Sequence, residues 1–349
     1  MINKEKININ EFTQEELEKY FESIGEKKFH ARQVFKWLHK KGVLTFDDMT
    51  DISKSLRDKL QENTYILDMC ILECQKSKKD GTMKFLIKLM DNNAIESVFM
   101  KYNHGNTLCV STQVGCKMGC KFCASTKEGY VRNLLGSEIE GQIQTVQRYT
   151  GEKISNVVYM GIGEPLDNYD NVIRSIKHIN SPYGLNIGAR HISLSTCGIV
   201  PRIYDLANEN IQATLSISLH ATTDEARRKT MPIANKYTIK EILDACREYL
   251  KKTGRRISFE YALISGENDS VEDAIKIAKL LRGMIAHVNL IPVNEIKNGV
   301  YKKASEKSIE NFMNTLNSCG VITTVRRELG TDIDAACGQL RKKHLDSQE

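Results

Sequence analysis

The sequence lacks the features of several large classes of protein. Charged residues interrupt its apolar stretches throughout, so we expect no transmembrane helix and no membrane partner. The first residues, Met1 to Lys6, contain no apolar signal region, so secretion is not expected. No internal repeat or low-complexity segment is visible. Charge of one sign is not in large excess either, and the net charge of +6 permits a polyanionic partner without requiring one.

The composition is that of an ordinary globular protein, with 41% hydrophobic and 27% charged residues. At roughly 150 residues per domain, the 349 residues correspond to one or two domains, or to one large α/β barrel with an appendage. Cysteine is abundant, with ten residues. In the reducing cytoplasmic compartment that we expect, these cysteines are thiols, metal ligands or catalytic groups rather than structural disulfides.

Residues 1–62 predict a small helical domain with a basic surface. Residues 1–26 are acidic, whereas residues 27–41 contain only basic charges. Apolar residues at the spacing of one buried helix face are Ala31, Val34, Phe35 and Leu38. A separate basic stripe, with cations four residues apart, consists of Lys28, Arg32, Lys36 and Lys40. A solvated helix face explains this stripe as well as a binding surface does.

The rest of the chain divides into three predicted regions. Short apolar segments separated by turn signals such as Asp80-Gly81 predict a β-hairpin extension over 63–106. Six alternating strand and helix units predict a parallel sheet in 107–326, either doubly wound or a partial barrel. Residues 327–349 form a C-terminal loop and basic tail.

Helix starts are predicted at three places within the strand and helix units. Ser137 with Glu140, and Thr238 with Glu241, have the spacing of a capping box. Pro201 is typical of the first turn of a helix.

Three cysteines with the spacing C-x3-C-x2-C follow the first predicted parallel strand, at Cys116, Cys120 and Cys123. Such strand ends form the mouth of a barrel, where chemistry usually occurs. Three thiolates suit a [4Fe–4S] cluster with one iron left open. Zinc is the alternative, with Cys109 as a possible fourth ligand, because structural zinc usually takes four protein ligands.

Polar residues follow the ends of other predicted strands. Gly161-Ile-Gly163-Glu164 is a glycine-rich bend that ends in a carboxylate, which can accept hydrogen bonds from an ammonium group. Further polar residues are Ser195, Ser218, His220 and Asn294. Each alone is explained equally well by a turn or a cap. Together they converge on one edge of the sheet, where such folds bind ligands.

The cysteine motif, with Phe122 before its last cysteine, resembles the signature of radical S-adenosylmethionine (SAM) enzymes. Three further stretches resemble the RlmN/Cfr family of radical SAM RNA adenine methyltransferases. They begin at Ile95, Cys109 and Gly330, and the resemblance covers nearly all of the chain. It implies a partial (β/α)6 TIM-like radical SAM barrel with an N-terminal helical domain and a β-hairpin extension.

The resemblance also implies roles for individual residues. Cys337 matches the cysteine that carries a methyl group, Glu96 the proton acceptor, and Cys109 the thiol that resolves the protein–RNA adduct through a transient disulfide with Cys337. Residues that match SAM-binding positions are Gly163, Glu164, Ser195, Ser218, Leu219, His220 and Asn294. Cysteines that match no functional position are Cys70, Cys74, Cys197, Cys246 and Cys319.

The implied reaction uses one [4Fe–4S] cluster and two SAM molecules per turnover. The implied substrates are 23S rRNA, in its peptidyl-transferase region, and the adenosine 3′ of the anticodon in some tRNAs. A flavodoxin system is the expected electron donor, a monomer is the expected state, and the basic stripe is the expected RNA contact. Glu164-Pro165 and Gln113-Val114 resemble the branch that methylates adenine C2. Methylation at C8 and a non-catalytic zinc RNA-binding protein remain alternatives.

Overall fold

A computed structural model of the chain describes residues 6–293, 301–333 and 340. The N-terminal part is helical and has a hydrophobic core of its own. Its elements are β1 (Ile7–Asn8), α1 (Gln14–Ser23), α2 (Lys28–Lys36), a π-helical turn (Trp37–Lys41), α3 (Lys54–Asn63) and β2 (Thr64–Tyr65). Ala31, Val34, Phe35 and Leu38 are buried in that core, which confirms the predicted apolar face.

Four antiparallel strands follow, as the hairpin signals predicted. They are β3 (Cys70–Lys76), β4 (Met83–Lys88), β5 (Ala94–Tyr102) and β6 (Gly105–Cys109). A small ribbon of two antiparallel strands comes next, β7 (Gln113–Gly115) and β8 (Tyr130–Asn133).

The remaining strands are parallel and continue the same sheet from β6. They are β9 (Asn156–Tyr159), β10 (Ile192–Thr196), β11 (Thr214–Ser218), β12 (Ile257–Leu263), β13 (Ala286–Pro292) and β14 (Ile322–Val325). The ten strands of this sheet run in the order β14-β13-β12-β11-β10-β9-β6-β5-β4-β3. The predicted hairpin extension is therefore the antiparallel half of the barrel sheet. The division into domains at residues 62, 106 and 326 stays a prediction.

Helices connect the parallel strands and cover one face of the sheet. They are α4 (Gly136–Thr150), α5 (Tyr169–Asn180), α6 (Val200–Asn208), α7 (Asp224–Thr230), α8 (Ile239–Thr253), α9 (Val271–Leu280) and α10 (Glu306–Ser318). The main hydrophobic core lies between these helices and the sheet. In the described part of the chain, no helix combines the length and the apolar character that crossing a bilayer requires.

Two of the three predicted helix starts are confirmed. Thr238 and Glu241 form a reciprocal capping box at α8, and Pro201 lies in the first turn of α6. The prediction for Ser137 and Glu140 is wrong, because α4 already begins at Gly136. The carboxylate that caps α4 belongs to Glu138, which accepts the Leu135 N–H at 2.9 Å.

Glu140 instead joins α4 to the N-terminal domain. Its Oε2 lies 2.6 Å from Nδ1 of His39 and 3.4 Å from Nδ1 of His178, and all three side chains are buried. Burial alone would raise the pKa of Glu140, but the charge of His39 and hydrogen bonds from both imidazoles lower it to about 2. Burial lowers the pKa of His39, and a neutral imidazole can still donate to this buried carboxylate through one ring N–H.

Candidate active site

The small ribbon β7–β8 holds the cysteine loop in place. Gly115 has a φ of +76°, and a Cβ atom there would lie 1.8 Å from the Gly129 carbonyl oxygen, so only glycine fits. Directly after it, the Cys116 N–H donates to the same carbonyl at 3.1 Å. At the far side of the loop, the Lys121 N–H donates to the Thr230 carbonyl at 2.9 Å. These contacts direct the loop over the carboxyl end of the parallel strands.

The three thiols of the loop suit a metal cluster better than a single zinc ion. Cys116, Cys120 and Cys123 line one cavity, and burial raises the pKa of Cys116 and Cys120 to about 12. Metal binding there must displace the thiol protons. Thiolates on one tetrahedral zinc lie about 3.8 Å apart, since each Zn–S bond is about 2.3 Å. Among the residues described, the three sulfurs are not grouped within 4.8 Å of one another. Three cysteine thiolates are also the ligand set of a [4Fe–4S] cluster with one open iron.

The cavity encloses about 320 Å³ at the carboxyl ends of the parallel strands, within the range of small-ligand sites. Five of the residues predicted to bind SAM line it: Gly163, Glu164, Ser195, Ser218 and His220. Leu219 does not, because its side chain is in the hydrophobic core and its backbone bonds to Glu260 and Arg227. Asn294 lies outside the described residues.

Glu164 is a carboxylate held by backbone groups. Its Oε1 accepts the Leu166 N–H at 3.0 Å and its Oε2 accepts the Cys197 N–H at 2.7 Å. Burial raises its pKa. Gly163 has a φ of +110° and packs against Gln113, where a Cβ atom would clash at 2.7 Å. The bend therefore fixes the carboxylate in the cavity wall, where it can receive an ammonium group.

His220 is a neutral hydrogen-bond donor in the same wall. Its Nδ1 accepts the Ala262 N–H at 2.9 Å, so the ring proton is assigned to Nε2. Burial and then the nearby charge of Arg227 lower the pKa of His220 to about 3. The imidazole thus stays uncharged at neutral pH.

A second group of predicted residues lies on the antiparallel half of the sheet. Cys109 pairs with Val98 across β5 and β6, and Glu96 lies two residues along on the same face. Glu96 is buried and its Oε2 lies 3.0 Å from Nζ of Lys84 on β4. Met160 connects the two groups, since it packs with Cys109 and also lines the cavity. Cys109 itself is not part of the cavity wall, which argues against it as a fourth ligand beside Cys116.

Comparisons with known proteins identify the family of the chain. Residues 7–66 match the model of the ribosomal RNA large subunit methyltransferase N-terminal domain, and residues 110–280 match the radical SAM superfamily. The chain is 57% identical over 341 residues to a probable dual-specificity RNA methyltransferase RlmN of Clostridium perfringens, covering 98% of each chain. The chain belongs to the RlmN family. A similarly named protein of Alkaliphilus oremlandii is also 57% identical, over 98% of this chain and 99% of that one.

A solved structure agrees with the family assignment. The crystal structure of a radical SAM methyltransferase from Sphaerobacter thermophilus matches with a TM-score of 0.90 and 39% identity, over 95% of this chain and 98% of that one. The protein is therefore a radical SAM RNA methyltransferase with the radical SAM fold. Membership of this superfamily implies an iron–sulfur cluster and SAM.

Two buried charged residues of this RlmN-family chain were not predicted. Glu260 on β12 lines the cavity and accepts from Asn289 Nδ2 at 2.7 Å. The sequence feature that could have identified Glu260 is an acidic residue inside an otherwise apolar strand. Arg227 on α7 is fully buried, and its Nη2 donates to the carbonyls of Cys197 at 2.6 Å and Ser218 at 3.2 Å. Nothing in the Arg-Arg-Lys sequence around it indicated burial.

Cys337, the predicted methyl carrier, lies outside the described residues, but residues on both sides of it contact the antiparallel half. Leu340 packs with Leu86 and Ala94, and Leu329 packs with the Cys109 cluster. The Gly330 N–H donates to Asp80 at 2.8 Å. The described residues on either side of Cys337 in the sequence, Leu329 and Leu340, thus both contact the antiparallel half of the sheet.

The basic stripe is exposed on α2 and the π-helical turn. Two of its cations are already paired with α1, since Arg32 lies 2.8 Å from Glu18 and Lys28 lies 3.1 Å from Glu22. Lys36 and Lys40 form no ion pair with any residue that the structure describes. The part of the stripe available to phosphates is therefore its C-terminal half.

Proposed function

We propose that this enzyme methylates C2 of an adenosine in the peptidyl-transferase region of 23S rRNA and of the adenosine 3′ of the anticodon in some tRNAs. One observation carries the proposal. The cavity beside the cysteine loop adjoins, through Met160, the sheet face that bears Glu96 and Cys109, and Leu329 and Leu340, which flank Cys337 in the sequence, pack on the same half of the sheet. The relatives are named probable dual-specificity RNA methyltransferases, which agrees with two RNA substrates.

The cofactor residues follow from the donor set of the cavity. Cys116, Cys120 and Cys123 would hold one [4Fe–4S] cluster with one iron free of protein thiolate. When bound there, the cluster supplies the electron that cleaves SAM to a 5′-deoxyadenosyl radical. Glu164 would accept the SAM ammonium group, while Ser195, Ser218 and the Nε2 proton of His220 would orient the rest of the molecule, with Asn294 from the following segment. Two SAM molecules are used per turnover.

The transfer steps belong to the chain's own residues. Adenine C2 is electron-poor and cannot attack a methyl sulfonium, so the methyl group first goes to the thiolate of Cys337. The S-methyl group then loses a hydrogen atom to the 5′-deoxyadenosyl radical, and the resulting methylene carbon adds to C2; the unpaired electron left on the ring would return to the cluster. Release requires that a Cys109 thiolate attack the sulfur of Cys337, so that an S–S bond forms as the S–C bond breaks, and the carbon keeps the electron pair and takes up a proton to become the methyl group. Glu96 takes the ring proton. The disulfide is transient, as expected for a catalytic pair in the cytoplasm.

C8 of adenine is the alternative position. Both reactions need the same cysteines and the same cofactors, so the site chemistry does not separate them. Pro165 after Glu164, and Val114 after Gln113, resemble the C2 branch. The target adenine is expected in an accessible loop that is recognised by shape and backbone contacts.

The proposal also covers the localisation, oligomeric state, electron donor and RNA contacts of the enzyme. The protein acts as a cytoplasmic monomer and receives electrons from a flavodoxin system. Lys36 and Lys40, with Lys28 and Arg32 beside them, contact RNA phosphates.

The decisive experiment is a nucleoside analysis. The reconstituted enzyme is incubated separately with unmodified 23S rRNA and unmodified tRNA, and the digests are compared with authentic methyladenosines by mass spectrometry. We expect 2-methyladenosine from both. If 8-methyladenosine is the sole product, the position is wrong while the radical chemistry stands. A colourless, zinc-loaded protein after anaerobic isolation would contradict the radical mechanism itself.

A further inference from the structure

A fully buried ion pair lies on the antiparallel half of the sheet. Lys84 of β4 has no exposed surface, and its Nζ lies 3.0 Å from Oε2 of Glu96 on β5, which is 3% exposed. In the register of the two strands, Lys84 pairs with Val98 and Glu96 pairs with Leu86. The two charged residues are therefore diagonal neighbours on one face, a geometry that long side chains can bridge.

This face is turned away from the helices. On the opposite face of β5, Ser97 donates to Gln142 of α4 at 2.8 Å. The face of Lys84 and Glu96 instead leads through Cys109 and Met160 to the cavity. The titratable residues that the strand register puts on it are Cys70, Glu73, Lys84, Lys88, Glu96, Tyr102 and Cys109. The segment after β14 adds Arg326 and Arg327, which are electrostatically coupled to Tyr102.

A buried ion pair of this kind contributes little to the stability of a protein. Removing an ammonium and a carboxylate from water costs several kcal/mol per ion, and apolar residues of similar volume often stabilise a protein as well or better. A buried carboxylate without a cation would bind a proton and become neutral. The consequence of Lys84 is therefore a Glu96 carboxylate with one oxygen held 3.0 Å from an ammonium group.

We propose that Lys84 is the positioning residue of the proton acceptor: its ammonium group pairs with one carboxylate oxygen of Glu96 and holds the carboxylate in place for proton removal from the adenine ring. This inference rests on the proposed role of Glu96. In the step concerned, the ring has already lost the unpaired electron left by radical addition. The ring C–H bond then breaks, its electron pair restores the aromatic ring and the proton forms an O–H bond with Glu96. Lys84 keeps its charge and favours the later loss of that proton to solvent.

The test measures how fast methylated RNA is released from the covalent adduct in a single turnover, as a function of pH. In Lys84→Gln the amide can still hydrogen-bond the carboxyl group of Glu96, so we expect a folded protein. Its release should be about 10²-fold slower at neutral pH, the lower end of general acid–base effects. Lys84→Arg keeps a cation beside Glu96 and should restore the original rate and pH profile.

Controls separate this role from a structural one. Lys88→Gln removes a half-buried cation from the same face of β4 and should leave the pH profile unchanged. Methylation of Cys337 and iron content, which precede proton removal, should be unchanged in Lys84→Gln. A Lys84→Gln profile that overlies the wild type would overturn the proposal. Lys84→Met provides the same test if the glutamine variant does not fold.

If Glu96 is not the proton acceptor, the experiment gives a different result. Glu96→Gln should trap the adduct at every pH. If Glu96→Gln releases product normally, Glu96 is not the acceptor and the proposed function needs another base. If Glu96→Gln traps the adduct but Lys84→Gln behaves as wild type, only the role of Lys84 is wrong.

Discussion

The two halves of the sheet each bury a cation, but they accommodate it differently. In the parallel half, Arg227 donates to the backbone carbonyls of Cys197, Ser218 and Leu219, at the ends of two neighbouring strands. In the antiparallel half, Lys84 pairs with the carboxylate of Glu96. Both side chains are fully buried.

The difference follows from how the backbone is used. Carbonyls beyond the carboxyl ends of parallel strands have left the ladder and need other donors, and a guanidinium has five N–H groups to offer. Within the antiparallel strands the ladder uses the backbone groups, so a buried ammonium needs a side-chain acceptor. The parallel half therefore builds a cavity from strand ends, whereas the antiparallel half buries an ion pair on one face of the sheet.

The largest expected effect concerns the cysteine loop, which lines the cavity of the parallel half. Cys120→Ala should remove most of the bound iron and abolish both SAM cleavage and RNA methylation, because three thiolates are needed to hold the cluster. Iron analysis after anaerobic isolation measures this, with Cys319→Ala at an exposed, remote thiol as the matched control. Full iron in Cys120→Ala would remove the basis for the cluster assignment.

The corresponding change in the antiparallel half should spare the cofactor. Cys109→Ala should keep its iron and its SAM cleavage but accumulate a covalent protein–RNA species, because no thiolate is left to attack the sulfur of Cys337. Denaturing gels with labelled RNA measure the adduct. Normal turnover of this variant would exclude the resolving role, and Cys74→Ala on β3 is the control.

Replacing Arg227 tests whether the ends of β10 and β11 need the hydrogen bonds that its guanidinium group donates. Arg227→Met should lower the free energy of unfolding by about 3 kcal/mol, since buried carbonyls lose charged donors, and should weaken SAM binding. Calorimetric unfolding and SAM titration measure the two effects. Arg228→Met, on the exposed side of the same helix, should change neither. Unchanged SAM affinity in Arg227→Met would mean that the strand ends hold their positions without it.

His220 makes the stability of the folded protein depend on pH. Its pKa is about 3 in the folded protein, below the ordinary value of 6.5. The unfolded chain therefore binds a proton that the folded one does not, and stability falls as the pH drops below 6.5. The loss is about 2 kcal/mol between pH 8 and pH 5. Denaturant unfolding should show a shallower pH dependence in His220→Asn, and equal slopes would contradict the buried neutral imidazole.

The smallest effect concerns the basic stripe, which belongs to neither half. Lys36→Gln and Lys40→Gln should each lower the salt dependence of RNA binding by about 0.7–0.9 in log–log slope, the value for one phosphate contact. Lys28→Gln should do less, because Glu22 already pairs with that cation. Binding titrations at several salt concentrations measure the slopes, with Lys240→Gln on α8 as control. Unchanged slopes would identify the stripe as a solvated surface.

Local signals in the sequence were sufficient for much of the active site. The spacing of Cys116, Cys120 and Cys123 identified the cysteine loop, because ligands of one cluster lie close along the chain. The alternation of strands and helices brought Glu164, Ser195 and His220 to one edge, because parallel strands end on the same side of a sheet. The cavity confirms that convergence. The assignments of Glu96, Cys109 and Cys337 required family resemblance.

Only the tertiary structure decided which charged residues are buried and what they contact. The pattern Ser137-x-x-Glu140 predicted a cap, but His39 of another domain pairs with that carboxylate. Leu219 matched a binding position, yet its side chain packs in the core. Lys84 and Arg227 resembled surface cations, because their burial depends on strand register and on partners distant in sequence. Sequence determines which groups are available, whereas packing determines which of them must find a partner away from water.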